Sequence, residues 1–211
     1  MQIRADRSIA ARVVLDELEW IASPAGGVER KPLERDGEEI ARATSVVRYA
    51  PNSRFPRHVH ERGEEFLVLE GEFCDEHGRY GPGTYVRNPP GSSHAPFSDV
   101  GCIIFVKLRQ FVDDDLRAGV LAPEQLVWRE LAPGHTRALL HEHRGEHVAL
   151  DRIAPGRRAA LGPCELLLVE GELVIDDARI VGWTWCRWPD AGHVLQSPDG
   201  ALVWLKWGHL A

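Results

Sequence analysis

Residues 58 to 94 contain the side chains best able to hold a cation: His58-Val59-His60, then Glu64, then His94. Alternate side chains on a strand share a face, so His58 and His60 project together while Val59 turns away. The polar segment Glu61-Arg62-Gly63 reverses the chain, and the next strand brings Glu64, Phe66 and Val68 onto one face. Glu64 can then meet the two imidazoles from an adjacent strand. His94 arrives through Gly83-x5-Pro89-x-Gly91-x2-His94, where a glycine-proline turn fixes how the third imidazole enters. Three neutral imidazoles and one carboxylate suit Fe(II), Mn(II), Ni(II) or Zn(II) better than calcium or magnesium, which want oxygen ligands. Such a set can leave positions of an octahedral ion open for a substrate or O₂. The competing explanation is a group of structural polar residues. Burying them without a cation or a dense hydrogen-bond network would cost on the order of several kcal/mol, so a metal site at His58, His60, Glu64 and His94 is the expectation. Ligand type does not choose the metal.

The segments that must position these residues are short apolar runs: Phe66 to Leu69, Thr84 to Arg87, Cys102 to Leu108, Glu165 to Val169 and Ala201 to Trp207. Turns at Glu76-His77-Gly78, Gly81-Pro82-Gly83 and Pro90-Gly91-Ser92 separate them, the pattern of an all-β barrel or sandwich. The chain also repeats itself. Arg48-Tyr49-Ala50-Pro51 recurs at Arg152-Ile153-Ala154-Pro155, Leu67 to Phe73 recurs at Leu167 to Leu173, and Phe105 to Leu108 recurs at Trp204 to Trp207, with offsets of 104, 100 and 99 residues. Three collinear matches indicate duplication. The expected architecture is all-β, two tandem barrels: a metal-binding domain over 1–111, a linker over 112–132 and a second domain over 133–211. Asp113 to Val120, with acids at its start and Gly119 near its end, is expected to form a turn or two of helix between the copies.

These residues resemble the cupin superfamily, whose motifs are G-x5-H-x-H-x3,4-E-x6-G and G-x5-P-x-G-x2-H-x3-N. His58, His60, Glu64 and Gly71 fit the first; Gly83, Pro89, Gly91 and His94 fit the second. Glu65 leaves only five residues before Gly71, so Glu64 is the better ligand. Asn52, another residue tolerant of the left-handed region, stands for the leading glycine, and Ser98 for the closing asparagine. The longer strings Gly63 to Gly71, Asp75 to Tyr80 and Arg87 to His94 look like the cupin domain of ChrR-type anti-sigma factors and their stand-alone bicupin relatives. The ending Lys206-Trp207-Gly208-His209-Leu210 looks like the close of a second such domain. The resemblance implies two double-stranded β-helix (jelly-roll) barrels. It also implies either a metal-dependent enzyme, such as an Fe(II) dioxygenase of the dihydroxyacetophenone type acting on a small organic substrate, or a non-catalytic ChrR-like sensor of metal or ligand. An isomerase or epimerase is a third reading. No cysteine precedes Cys74, so the His-x3-Cys-x2-Cys zinc pattern of the anti-sigma factors is missing and sigma-factor binding is not supported.

The second copy is expected to lack a metal. It has Arg158-Ala159-Ala160-Leu161-Gly162-Pro163 in place of His-x-His, Cys164 where Glu64 stands, and His193 where His94 stands. The bulk of Trp183, Trp185 and Trp188, the first two on one face by alternation, could fill its interior. His141-x-His143-x3-His147 mimics a ligand cluster. Self-alignment of Gly145 to Ala149 with Gly37 to Ala41 puts it on a connecting or edge strand, with surface histidines the expectation. Asp113-Asp114-Asp115 is expected to be a solvated acidic turn, and Tyr85, Arg87 and Phe97 are candidates to shape the metal pocket.

The formal net charge is −7 over 211 residues with a pI near 5.8, and the arginines are scattered. Nucleic acid is therefore set aside as a partner. Four dispersed cysteines without a C-x-x-C pair fit reduced, buried thiols. No segment approaches a membrane span or a signal peptide, so a cytoplasmic protein and no membrane partner are expected. A small-molecule ligand or substrate and a possible homodimer complete the expected partners.

Overall fold

The computed structural model describes residues 2–38 and 40–210. Among these, the helical elements are two single turns of 3-10 helix, Leu15–Glu17 and Pro123–Gln125, and the rest is antiparallel strand and turn. The chain forms two compact units. One comprises Glu19–Gln125 with the first residues up to Ala5; the other comprises Asp6–Leu18 with the residues from Leu126 onward.

In the first unit the large sheet runs in the order Gln2–Ile3, Val28–Gly37, Ala41–Tyr49, Cys102–Leu108, Glu64–Gly71, Tyr85–Asn88, Gly119–Leu121. The other wall is built from Gly78–Tyr80, Phe73–Asp75, Phe97–Ser98 and Ser53–Arg54, together with the pair His58–Val59 and Ser93–His94. Alternation sends Phe66, Val68, Val86, Ile104 and Val106 inward, where they meet Phe73 and Tyr80 from the smaller wall. Their opposite faces carry other side chains. Glu65, Tyr85 and Arg87 point outward from the barrel interior and are still buried.

The second unit repeats the plan in the order Trp128–Ala132, His135–His143, Glu146–Ile153, Ala201–Trp207, Cys164–Ile175, Thr184–Trp188, Ala11–Val14. The correspondence extends to irregularities. Glu64–Gly71 slips register against its neighbour between Ile103 and Ile104, and Cys164–Ile175 slips between Leu168 and Glu170. At the matching turns Gly71 and Gly171 have φ of +69° and +84°, and a Cβ on either would sit 2.0 Å from the carbonyl oxygen of Gly101 or Gly200. Only glycine fits there. Asn52 adopts φ +62°, as its place in the motif requires.

Four expectations change. The domain boundaries differ because Ala11–Val14 pairs with Thr184–Trp188 of the second unit, while Gly119–Leu121 pairs with Tyr85–Arg87 of the first. The interval expected as a linker over 112–132 therefore contributes strands to both units, and residues 6–18 do not belong to the first. The anticipated helical turns at Asp113–Val120 are absent, because the three acids are consumed in a turn and Gly119 and Val120 complete a sheet edge. The acidic turn is not wholly solvated: Asp115 is buried and accepts a 2.6 Å hydrogen bond from Arg87. Finally, Glu146–Ile153 is an inner strand, paired on both sides. By register His147, opposite Trp207, takes the place of Ala43, opposite Leu108. The alignment of 145–149 with 37–41 was thus out of step, and its Glu39 lies outside the described residues.

Candidate metal centre

His58 and His94 are direct cross-strand partners, which sets two imidazoles side by side at the barrel mouth. Glu64 begins the next strand opposite Asn88. His60 follows His58 where the chain turns, anchored through its backbone N–H to the carbonyl of Ser92. The ligand atoms of His58, His60, Glu64 and His94 lie within 4.8 Å of one another, and the last three side chains are buried. The imidazole rings meet edge to face, with centroids 4.6 to 5.0 Å apart. Metal–ligand bonds of about 2.0–2.2 Å put opposite ligands about 4.3 Å apart, so small side-chain adjustments would bring this group onto one ion.

The hydrogen bonds around the rings favour that use. His58 Nδ1 is 3.0 Å from the carbonyl of Pro56, His60 Nδ1 is 2.9 Å from Ser92 Oγ, and His94 Nδ1 is 3.1 Å from Asp75 Oδ2. Ser92 spends its own proton on the Pro89 carbonyl at 2.6 Å, so its oxygen must accept from His60. With Nδ1 of each ring protonated and donating outward, Nε2 keeps its lone pair for the interior, the arrangement seen around metal-bound imidazoles. His60 Nε2 is fully buried without a hydrogen-bond partner. A buried unpaired nitrogen is costly unless something else occupies its lone pair. Asn88 Nδ2 donates to Glu64 Oε1 at 3.1 Å and holds the carboxylate toward the rings, with Oε1 3.5 Å from Nε2 of both His60 and His94.

Electrostatics divide the rings. Burial lowers the His60 pKa more than the nearby Glu64 carboxylate raises it, which favours the neutral, ligating form. At His94 burial acts downward too, but the Asp75 hydrogen bond and the charge of Glu64 outweigh it and the pKa rises. Asp75 itself stays ionised: burial raises its pKa, and the bonds from His94, the His77 N–H and Tyr80 more than reverse that.

A cavity of about 390 Å³ adjoins the group, with Tyr49, Phe55, Ile104, Val106 and Leu108 on its walls beside His58, His60 and Glu64. Tyr85, Arg87 and Phe97, expected to shape the pocket, do not line it. Strand alternation explains the first two. Tyr85 and Arg87 share a face with each other and not with Val86, and they bind Glu65, with Arg87 Nη1 2.8 Å from its carboxylate. Phe97 stacks under Arg54 instead, 4.7 Å from its guanidinium. Glu65 is thereby committed to the outer face, and Glu64 is the carboxylate in the group. Asp75, Asn88 and Ser92 were missed as supports. Alternation from Val86 to Asn88 was the available signal for one; the other two depend on turns that only the folded chain brings near.

In the second barrel Cys164 faces Trp188 and Trp207, as Glu64 faces Asn88 and Leu108, and Leu161 faces His193 as His58 faces His94. His193 is bound to Asp176 and lies 3.2 Å from Asp190. The interior is closed by Leu161, Leu166, Leu168, Cys186 and Leu205, with Trp188 and Trp207 packed against them. Trp185 is buried on the opposite face and Trp183 is outside that cluster, so of the three tryptophans expected to fill the barrel only Trp188 does, joined by Trp207. The expected parity omitted that Cys186 takes the inward place. His141, His143 and His147 do not gather into a ligand group among the described residues. His147 stacks flat on Trp207 at 4.8 Å.

Residues 9–112 match the model of the ChrR Cupin-like domain family. The first barrel is thus similar to a ChrR cupin-like domain, and the chain as a whole has the two-barrel bicupin fold. Solved structures share its fold over nearly the whole length. A dioxygenase candidate from Nostoc punctiforme PCC 73102 superposes with a TM-score of 0.76 at 15% identity, covering 94% of this chain and 82% of that one. Protein YlbA from Escherichia coli gives 0.72 at 14% identity, covering 96% and 92%. The bacterial pirin YhhW from Escherichia coli, solved in complex with nickel(II), gives 0.70 at 11%, covering 94% and 98%. No curated protein matches the chain in sequence. No helix among the described residues is long and apolar enough to cross a membrane.

Proposed function

We propose that the first barrel binds one divalent transition metal through His58, His60, Glu64 and His94 and is a metal-dependent enzyme of dioxygenase type acting on a small organic molecule. The observation that carries this reading is the set of inward Nε2 lone pairs, one of them buried and unpartnered, beside Glu64 at a cavity of about 390 Å³. When bound, such an ion supplies Lewis acidity toward a carbonyl and the redox capacity that O₂ chemistry requires. The chain supplies the rest. Asp75, Ser92 and the Pro56 carbonyl fix the imidazole tautomers, Asn88 orients Glu64, and the apolar walls exclude bulk water and hold a ligand against the site. The dioxygenase candidate among the structural relatives supports the reaction class, and the nickel-bound pirin supports a divalent ion in this fold.

The test is anaerobic purification with elemental analysis, followed by O₂-uptake assays with hydroxyketones and β-dicarbonyl compounds. About one ion per chain and substrate-dependent O₂ consumption are expected. A protein without stoichiometric metal would sink the site; tightly held zinc without turnover would leave a sensor, and turnover without O₂ an isomerase.

A further inference from the structure

We propose that the cavity beside this group takes an organic anion, a carboxylate on an apolar body, and that Arg30 and Arg35 bind its carboxylate. The proposal builds on the reading of the cavity as a substrate pocket and adds the chemical class of the substrate.

The argument begins with strand Val28–Gly37. Arg30 shares a face with Val28, which is part of the barrel interior. Strict alternation would turn Arg35 away, but a bulge between Pro32 and Glu34 shifts the register and returns it to the same face. Both arginines line the cavity and both are half-buried. They are close enough that Arg30, after burial, depresses the Arg35 pKa, against the smaller opposing effect of Glu38. Arg35 also donates to the Glu38 carbonyl. Two like charges held together beside an apolar wall are unfavourable until an anion joins them.

The second barrel shows what the first one lacks. By register Arg137, opposite Asp151, stands where Arg30 stands opposite Val47. Asp151 is fully buried and takes a two-pronged bond from Arg137, at 2.6 and 2.8 Å, while His135 Nε2 lies 2.7 Å from its Oδ2. Glu142, opposite His147, stands where Arg35 stands opposite Ala43, and it lies 3.5 Å from His147 Nε2. The second barrel therefore has its own carboxylate at both places, the buried Asp151 paired with Arg137 and the exposed Glu142 in the position of Arg35. In the first, the carboxylates bordering the cavity have other roles: Glu61 accepts from Arg109 at 2.6 Å, and Glu64 belongs to the candidate metal group. A guanidinium fork matches a carboxylate from outside, both arginines line the cavity, and the apolar walls suit a hydrocarbon or aromatic body.

The experiment titrates the full-length protein with benzoate and 3-phenylpropanoate and, as uncharged controls of the same shape, with benzamide and 3-phenylpropanamide. Calorimetry or NMR reads binding first after chelator treatment and then after nickel(II) loading. At least one carboxylate should bind the metal-stripped protein at least about tenfold more tightly than its amide, and Arg30→Met or Arg35→Met should each remove about that factor. The more telling variant is Val47→Asp. It gives Arg30 the internal partner that Asp151 gives Arg137, and it should close the site to carboxylates although both arginines remain, with the fold checked by circular dichroism. Equal binding of acid and amide, no binding of either acid by the parent protein, or an unchanged affinity in Val47→Asp would overturn the proposal. Metal content is read on the same samples. Arginine-dependent binding in a protein that takes up no metal would fail the metal reading alone, and full metal uptake without charge discrimination would fail this one alone.

Discussion

The first barrel sets His58, Glu64 and His94 where the second sets Leu161, Cys164 and His193, on strands paired in the same register and interrupted by the same bulge. One scaffold thus carries two solutions to the same interior. In the first, polar side chains converge and a cavity remains beside them. In the second, Trp188 and Trp207 stand opposite Cys164, and aliphatic side chains fill the space. The backbone plan tolerates either, which places function in the inward-facing positions and not in the fold. The comparison also explains His193, which has kept the place of His94 and found two carboxylates in place of a ligand group.

The largest expected effect tests whether the difference concerns metal at all. His60→Ala or Glu64→Gln should lower bound metal from about one ion per chain to a trace, whereas Cys164→Ser and His193→Ala should leave it unchanged by elemental analysis. Equal losses in both barrels would erase the distinction. Next comes packing. Leu166 is fully buried in the closed core, so Leu166→Ala should cost about 2–5 kcal/mol in urea unfolding. Val106 borders the open cavity, and Val106→Ala should cost about 1 kcal/mol. If Val106→Ala proved as damaging, the first interior would be as tightly packed as the second.

A smaller effect sharpens the role of the outer hydrogen bonds. Asp75→Asn should weaken metal affinity by about 10–100-fold without touching a ligand, as read by competition with a chelator; affinity within twofold of the parent would show that Asp75 does not orient His94. The smallest concerns pH. Asp176 raises the His193 pKa, so this pair stabilises the fold fully below the ordinary histidine value of about 6.5 and loses that contribution as pH rises through the raised one. The Asp176 pKa is lowered by the same bond, so the lower limit of the window is acidic. Urea midpoints of the parent and Asp176→Asn should differ at pH 6 and converge by pH 9; a constant gap would exclude the ion pair as the cause.

Much of this was legible before any fold was known. His58, His60, Glu64 and His94 could be picked out because strand parity and turn residues are local, and the duplication showed because Gly71 and Gly171 are fixed by the same steric demand. What failed depended on contacts across long sequence intervals. Tyr85 and Arg87 were assigned to the pocket by proximity in sequence, yet parity, coupled to Glu65 and Asp115, turned them the other way. The inward placing of Arg35 hinges on a bulge after Pro32 that no periodicity reveals. The Asp151 partner of Arg137 became meaningful only beside Val47, once the registers of the two sheets could be compared.

The strand Ala11–Val14 has a consequence for how the polypeptide matures. It is made well before its partner Thr184–Trp188, and the Arg187 guanidinium returns to the carbonyls of Asp6 and Ile9. That edge of the later barrel must wait through some ~170 residues of translation, a long loop to close and a slow one. A cut between the repeats would separate Ala11–Val14 from Thr184–Trp188 and leave the later barrel without its border strand.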